Sequence, residues 1–156
     1  VHMSEFEVVT VEPQPAAVVR AEVPMEEISA VFDRAFSEVV RIVEAQGLSI
    51  TGSPFGYYPR MPGATVEVAA GFPTSGAVAP DGDVTPIELP GGQAVRGVHV
   101  GPFDSLEQTY GELVEWARGQ GLQLGVGMWE SYLTDPDQEP DASKWRTELT
   151  WPLASS

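Results

Sequence analysis

A chain of 156 residues suits one globular domain, and its 42% hydrophobic content supplies a core, which excludes global disorder. With 23 Asp and Glu against 8 Lys and Arg, the formal net charge of -15 repels nucleic acid and anionic lipid and favours cationic or neutral partners. The chain has no cysteine, so disulfides, thiol catalysis and Cys-ligated zinc are excluded.

The N-terminal "VHMSEFEVV" lacks the basic and apolar regions of a signal peptide, and Val1–Met3 reads as a vector remnant. No run approaches the roughly 20 apolar residues of a membrane helix. A cytoplasmic protein without membrane association is therefore expected. The first extended segments are "FEVVTV" (6–11) and "AAVVRAEV" (16–23). Residues 24–47 then place Ile28, Val31, Phe32, Ala35, Val39, Ile42 and Val43 on one helical stripe, with Pro24 in the first turn and Gly47 as the stop. Two more strand candidates follow, "FGYYPR" (55–60) and "TVEVAAGF" (65–72). The Gly, Pro and Asp content of "TSGAVAPDGD" (74–83) marks a linker.

After the linker the order repeats. "TPIEL" (85–89) and "QAVRGVHV" (93–100) read as strands. Residues 104–121 read as a helix, with Asp104 and Glu107 as a capping box. Leu106, Tyr110, Leu113, Val114 and Ala117 form its stripe, and Gly121 is the stop. "WESYL" (129–133) and "RTELTWPL" (146–153) close the chain as strands. A single domain over 4–156 is expected, with one repeat at about 4–73 and a second at about 84–153. "QGLSITGSPFGYY" (46–58) aligns with "QGLQLGVGMWESY" (120–132) without a gap, at an offset of 74. Phe55 falls on Trp129, Gly56 on Glu130 and Tyr58 on Tyr132, so a duplication explains the order.

Strand alternation puts Met128, Glu130 and Tyr132 on one side of the last-but-one strand, and Trp129, Ser131 and Leu133 on the other. A carboxylate between a thioether and a phenol is unusual on an apolar strand face. If the halves pack about a pseudo-twofold axis, Tyr58 and Tyr132 face each other across the seam. Glu130 then reaches into space that Gly56 leaves empty, which describes a pocket.

The segments "GPFDSLEQTYGELVEWARGQGL", "WESYLTDP" and "EPDASKWRTELTWPL" resemble the GyrI-like small-molecule-binding domain. That is the fold of effector-binding domains in AraC- and MerR-type multidrug-responsive regulators, with SOUL-type haem-binding proteins as distant relatives. The resemblance implies an α+β fold of two pseudo-symmetric β-α-β-β repeats. It implies a curved antiparallel sheet, two long helices packed on one face and a ligand cleft between the halves. It also implies that Glu130 pairs with the charge of flat aromatic cations between aromatic walls. Tyr132 matches the family's tyrosine, and Tyr58 is its counterpart in the first half. Met128 and Gly56 flank this group, and Trp145 is placed as a rim. No helix-turn-helix is present, so the chain reads as a stand-alone member, with a protein partner possible but no direct contact to nucleic acid.

Other chemistry finds less support. No Gly-x-Ser-x-Gly elbow exists, and His99 is the one histidine outside the remnant, expected as a hydrogen-bonded structural residue. "DPDQEPD" (135–141) has the alternating acids of a calcium loop, but Pro140 replaces the glycine at position six and Arg146 the glutamate at position twelve. No metal and no cofactor is expected. Trp116, Phe55, Phe72 and Phe103 are expected in the core, and Trp129, Leu133, Leu149 and Trp151 in the layer facing the helices. The function expected is binding of aromatic, preferably cationic, small molecules. Two alternatives remain: a hydrolase of cyclopropane-type electrophiles using Glu130 and Tyr132, and a protein-inhibiting regulator of the gyrase-inhibitor type. Substituting Glu130 by Gln would remove cation affinity in the first case, turnover in the second, and neither in the third.

Overall fold

The computed structural model describes residues 6–59, 64–102, 105–134 and 138–154. Strands β1 (Phe6–Val11) and β2 (Gln14–Val23) precede a 3-10 turn (Met25–Glu27) and helix α1 (Ile28–Ala45). Strands β3 (Phe55–Tyr58), β4 (Val66–Pro73), β5 (Val84–Leu89) and β6 (Gly92–Val100) follow, then α2 (Leu106–Gly119). Strand β7 (Met128–Tyr132), a 3-10 turn (Ala142–Lys144) and β8 (Arg146–Pro152) complete the chain. The order β-β-α-β-β thus runs twice.

Both helices end in the same way, for the same reason. Gly47 (φ 73°) and Gly121 (φ 71°) adopt the left-handed conformation that a side chain resists. Leu48 N–H donates to Val43 O at 3.0 Å and Gly47 N–H to Glu44 O at 3.1 Å. In α2 the corresponding bonds are Leu122 to Ala117 at 2.9 Å and Gly121 to Arg118 at 3.1 Å. This pairing satisfies carbonyls that the helix end would otherwise leave unpaired. The expected capping residue Asp104 lies outside the described residues, and α2 begins after Ser105 with no side-chain cap bond.

The eight strands form one antiparallel sheet in the order β1-β6-β8-β7-β3-β4-β2-β5. The sheet reads the same from either edge when each strand is exchanged for its counterpart in the other half. Its edges are exchanged too: β1 pairs with second-half β6, and β5 with first-half β2. The two halves therefore cannot be separated without breaking strand pairs at both edges and at the central β3–β7 contact.

Each helix buries its stripe on its own half-sheet. Ala35, Val39, Ile42 and Val43 of α1 pack with Ala17, Val19, Ala70 and Val84. Leu113 of α2 packs with Val95, Met128, Leu149 and Trp151, and Trp116 lies against Phe6 with ring centroids 6.1 Å apart. Burying each of the Val, Leu, Ile and Met side chains among these contributes on the order of 1.5–3 kcal/mol. Phe72 joins the α1 layer against Phe36, as a core residue should. Phe55 is buried but lies on the other face, with Ala16, Val18, Ala69, Leu89 and Trp129.

That second cluster corrects one expectation. Leu149 and Trp151 face the helices, but Trp129 lies on the opposite face and Leu133 is 46% exposed. The β7–β8 register explains it, because Glu130 is opposite Leu149 and Trp129 is opposite Thr150, and directly opposed residues share a face. Glu130 therefore belongs to the helix-facing layer. Among the described residues no helix is long and apolar enough to cross a membrane.

Candidate functional site

Strands β3 and β7 meet at the centre of the sheet, where Gly56 is directly opposite Glu130. The same two positions are equivalent under the 74-residue repeat, so the pseudo-twofold axis passes between them. Glu130 is 6% exposed. The space left by the missing side chain at Gly56 is not empty, contrary to the sequence expectation of an open pocket. A Cβ built there would meet Phe32 Cε1 at 2.9 Å and the Tyr132 hydroxyl at 3.1 Å. Phe32 comes from α1, and its ring stacks on Phe36 and meets Tyr132 edge-on, at centroid distances of 5.6 and 5.5 Å.

Three phenols surround the carboxyl. Tyr132, two residues on, donates to Oε1 at 2.9 Å, and Tyr110 of α2 donates to Oε2. Tyr58 is hydrogen-bonded to Tyr132. A phenol has one proton, and that of Tyr132 goes to Glu130, so Tyr58 is the donor in that bond. Tyr110 also lies 3.5 Å from Met128 Sδ, a second acceptor for its proton. Its ring is held edge-on to Trp151 at 6.3 Å, and Trp151 is fixed by its indole N–H donating to Gly125 O at 2.8 Å.

Burial pushes the Glu130 carboxyl above its ordinary range, and the hydroxyls of Tyr110 and Tyr132 pull it back only in part. Burial, and then the neighbouring carboxylate, push Tyr58, Tyr110 and Tyr132 well up, so all three remain protonated donors. Among the described residues, no Lys, Arg or His hydrogen-bonds to or ion-pairs with Glu130. A buried carboxylate without a cation is costly, so this group is either neutral or waiting for a positive charge.

The structure thus brings together Glu130, Tyr132, Tyr58, Met128 and Gly56. Trp145 stands apart, at the start of β8, on the same parity as Thr147 and Leu149 but beyond Tyr132. Its indole N–H donates to Glu139 O at 2.7 Å and its carbonyl accepts from Gly101. The sequence pattern places Tyr110 only on a helix stripe. The signal was its hydroxyl, since a phenol on a buried apolar stripe requires a polar partner.

The remaining candidates are structural. His99 is buried, with Nδ1 2.6 Å from Thr109 Oγ1 and Nε2 2.9 Å from Pro102 O and 3.1 Å from Ser105 Oγ. A ring nitrogen facing a carbonyl must carry the proton, so Nε2 donates and Nδ1 accepts from Thr109. The ring ties the end of β6 to the start of α2. Residues 135–137 of the acidic loop and Phe103 lie outside the described residues, and no group of acids or histidines among the described ones could hold a metal ion. Among the described residues, two depressions lie elsewhere. One of about 530 Å³, open to solvent, is at the end of α2 beside Leu122 and Leu124. The other, of about 360 Å³, is lined by Tyr57, Ala69, Ile87 and Leu89.

Comparison with known proteins gives the family to which this fold belongs. The family profile of the GyrI-like small molecule binding domain matches residues 4–154. No curated protein sequence matches significantly. The EcmrR C-terminal domain superposes with a TM-score of 0.85 at 21% identity, covering 99% of this chain and all of that one. In the EcmrR–DNA complex the match has a TM-score of 0.83, and this chain spans 58% of the EcmrR chain. SAV2435 bound to tetraphenylphosphonium gives 0.67 at 12% identity, covering 97% of this chain and 94% of that one. A hydrolase from Listeria innocua gives 0.65 at 14% identity, covering 96% and 92%. The chain belongs to the GyrI-like small-molecule-binding domain family.

Proposed function

We propose that this protein binds flat aromatic cations in the cytoplasm, with Glu130 as the charge partner. Tyr110, Tyr132 and Tyr58 serve as walls, Met128 and Gly56 as the floor, and Trp145 as a rim. The observation that carries this reading is a buried carboxyl on the axis of the fold whose hydrogen-bond partners, among the described residues, are all neutral phenols. A cation placed there would gain an ion pair in a poorly hydrated site. Each aromatic face would add about 0.5–2 kcal/mol of cation–π attraction. The family's small-molecule binding and the tetraphenylphosphonium held by SAV2435, an aromatic cation of tetrahedral rather than flat shape, support the aromatic and cationic parts of this class.

Binding requires rings to move. Phe32 lies over Gly56 and the Tyr110 hydroxyl occupies Oε2, so a ligand must displace the phenol and part the aromatic seam between α1 and α2. Walls of this kind select a chemical class more than an individual compound. The test is an equilibrium titration with a fluorescent aromatic cation such as a rhodamine, against wild type and Glu130→Gln, at two salt concentrations. Binding by wild type that weakens at least tenfold in the variant is expected. Equal affinity for both proteins would remove Glu130 from the site.

A further inference from the structure

We propose that Glu130 holds a proton in the unliganded protein and releases it when a cation binds, so that the site exchanges one proton for each cation taken up. This rests on the reading of Glu130 as the charge partner, and adds to it the protonation state from which binding starts.

The geometry provides for both states of the carboxyl. When Glu130 is ionised, Tyr110 donates to Oε2 and Tyr132 to Oε1, and both oxygens are satisfied. When it is protonated on Oε2, it must itself donate, and the oxygen in reach is that of Tyr110. The Tyr110 proton is then displaced, and Met128 Sδ at 3.5 Å accepts it, while Tyr132 continues to donate to Oε1. A phenol beside a thioether is therefore a reversible partner, donor to the anion and acceptor from the acid. A backbone N–H in place of Tyr110 could serve only the anion, and the acid would be left without an acceptor.

What surrounds the group favours the acid until a ligand arrives. Strand β7 contributes Tyr132 and Met128, β3 contributes Gly56 and, through Tyr132, Tyr58, and α2 contributes Tyr110. Strand β8 presents Leu149 directly opposite, and α1 presents Phe32. None of these carries a charge, and burial pushes the carboxyl up. His99 is two strands away, with both ring nitrogens engaged. The phenols keep their protons, so the proton released on binding is that of the carboxyl. The step balances as carboxylic acid plus cation giving carboxylate–cation pair plus a proton delivered to the buffer.

Two measurements on the full chain test this, with tetraphenylphosphonium as the probe because it has no titratable group. Infrared difference spectra of wild type against Glu130→Gln, without ligand at neutral pH, are expected to contain the C=O stretch of a protonated carboxyl, lost on saturation. Calorimetric titrations in buffers of different ionisation enthalpy are expected to report release of up to one proton. Affinity should rise by up to about tenfold per pH unit and then level off. A carboxylate band in the unliganded protein, or a buffer-independent heat with pH-independent affinity, would overturn the exchange. Failure of the site reading looks different: Glu130→Gln would bind the cation as tightly as wild type, whatever the spectrum.

Discussion

Glu130→Gln should make the unliganded protein more stable at neutral pH, not less. The amide is a close match to the protonated acid. Its carbonyl accepts from Tyr132, and one of its two N–H bonds donates to Tyr110, whose own proton turns to Met128 Sδ 3.5 Å away. The wild-type carboxyl has its folded value raised above 4.5 by burial. Between the unfolded and the folded values, the native state binds more protons than the unfolded one, so wild-type stability falls as pH rises through that window. Glutamine has no such penalty. The advantage of the variant should be near zero at about pH 4.5 and below. It should then grow by about 1.4 kcal/mol for each pH unit above that, until the folded value is passed. For a domain of this size, each 1 kcal/mol corresponds to about 2–4 °C in Tm. Urea denaturation of both proteins at pH 5, 6, 7 and 8, at fixed salt and without ligand, reads this difference directly. A stability difference between the two proteins that does not change with pH would refute the assignment of Glu130 as a buried carboxyl lacking a cation.

Three further substitutions probe the same region. Tyr110→Phe removes the hydroxyl bonded to Oε2, which a cation would have to displace in the proposed binding mode. It should cost about 1–2 kcal/mol in chemical denaturation while raising cation affinity severalfold, and unchanged affinity would mean that Tyr110 does not compete for the site. Gly56→Ala forces Phe32 and the Tyr132 hydroxyl to give way from contacts of 2.9 and 3.1 Å. It should destabilise by about 1–2 kcal/mol in a thermal melt, and pairing it with Phe32→Leu should recover most of the loss. His99→Ala leaves Thr109 without its partner and opens a cavity. A loss of about 2–4 kcal/mol in urea denaturation is expected, with cation affinity in fluorescence titration unchanged.

Most of the fold was legible because local signals and tertiary packing agree. The stripe of α1 and the glycines at 47 and 121 specify helix faces and ends without reference to the rest of the chain. Glu130 was legible because a carboxylate breaks an apolar strand pattern, and because the repeat aligns it with a glycine. What escaped depends on register and on which face the helices cover. Alternation grouped Met128, Glu130 and Tyr132 correctly, but which side met the helices is decided by Glu130 lying opposite Leu149, a pairing that no local pattern carries. The filled seam over Gly56 escaped for a related reason, since Phe32 reaches it from another element and reads in sequence as one more apolar helix residue. Tyr110 fits its stripe equally well with or without its hydroxyl bonded to Glu130.

The duplication itself explains why one carboxyl, and not two, stands at the centre. Equivalent residues of a duplicated fold normally lie far apart, but a pair on the axis lies side by side. Gly56 and Glu130 are such a pair, directly opposed in the β3–β7 ladder. A symmetric protein with glutamate at both positions would hold two buried carboxyls on one face, with Cβ atoms roughly 4.5–5.5 Å apart, and only one could ionise. Two glycines would leave a gap and no charge. The asymmetric pair resolves this: one half supplies the carboxyl, and the other supplies room for Phe32 and for the hydroxyl of Tyr132. The tyrosines are different. Tyr58 and Tyr132 are also equivalent by repeat, but they lie diagonally about the axis and are joined by a hydrogen bond between their hydroxyls, so both can be kept. A buried acid ringed by phenols is therefore a consequence of where the axis falls, and the aromatic walls on either side come from the two halves of one repeated design.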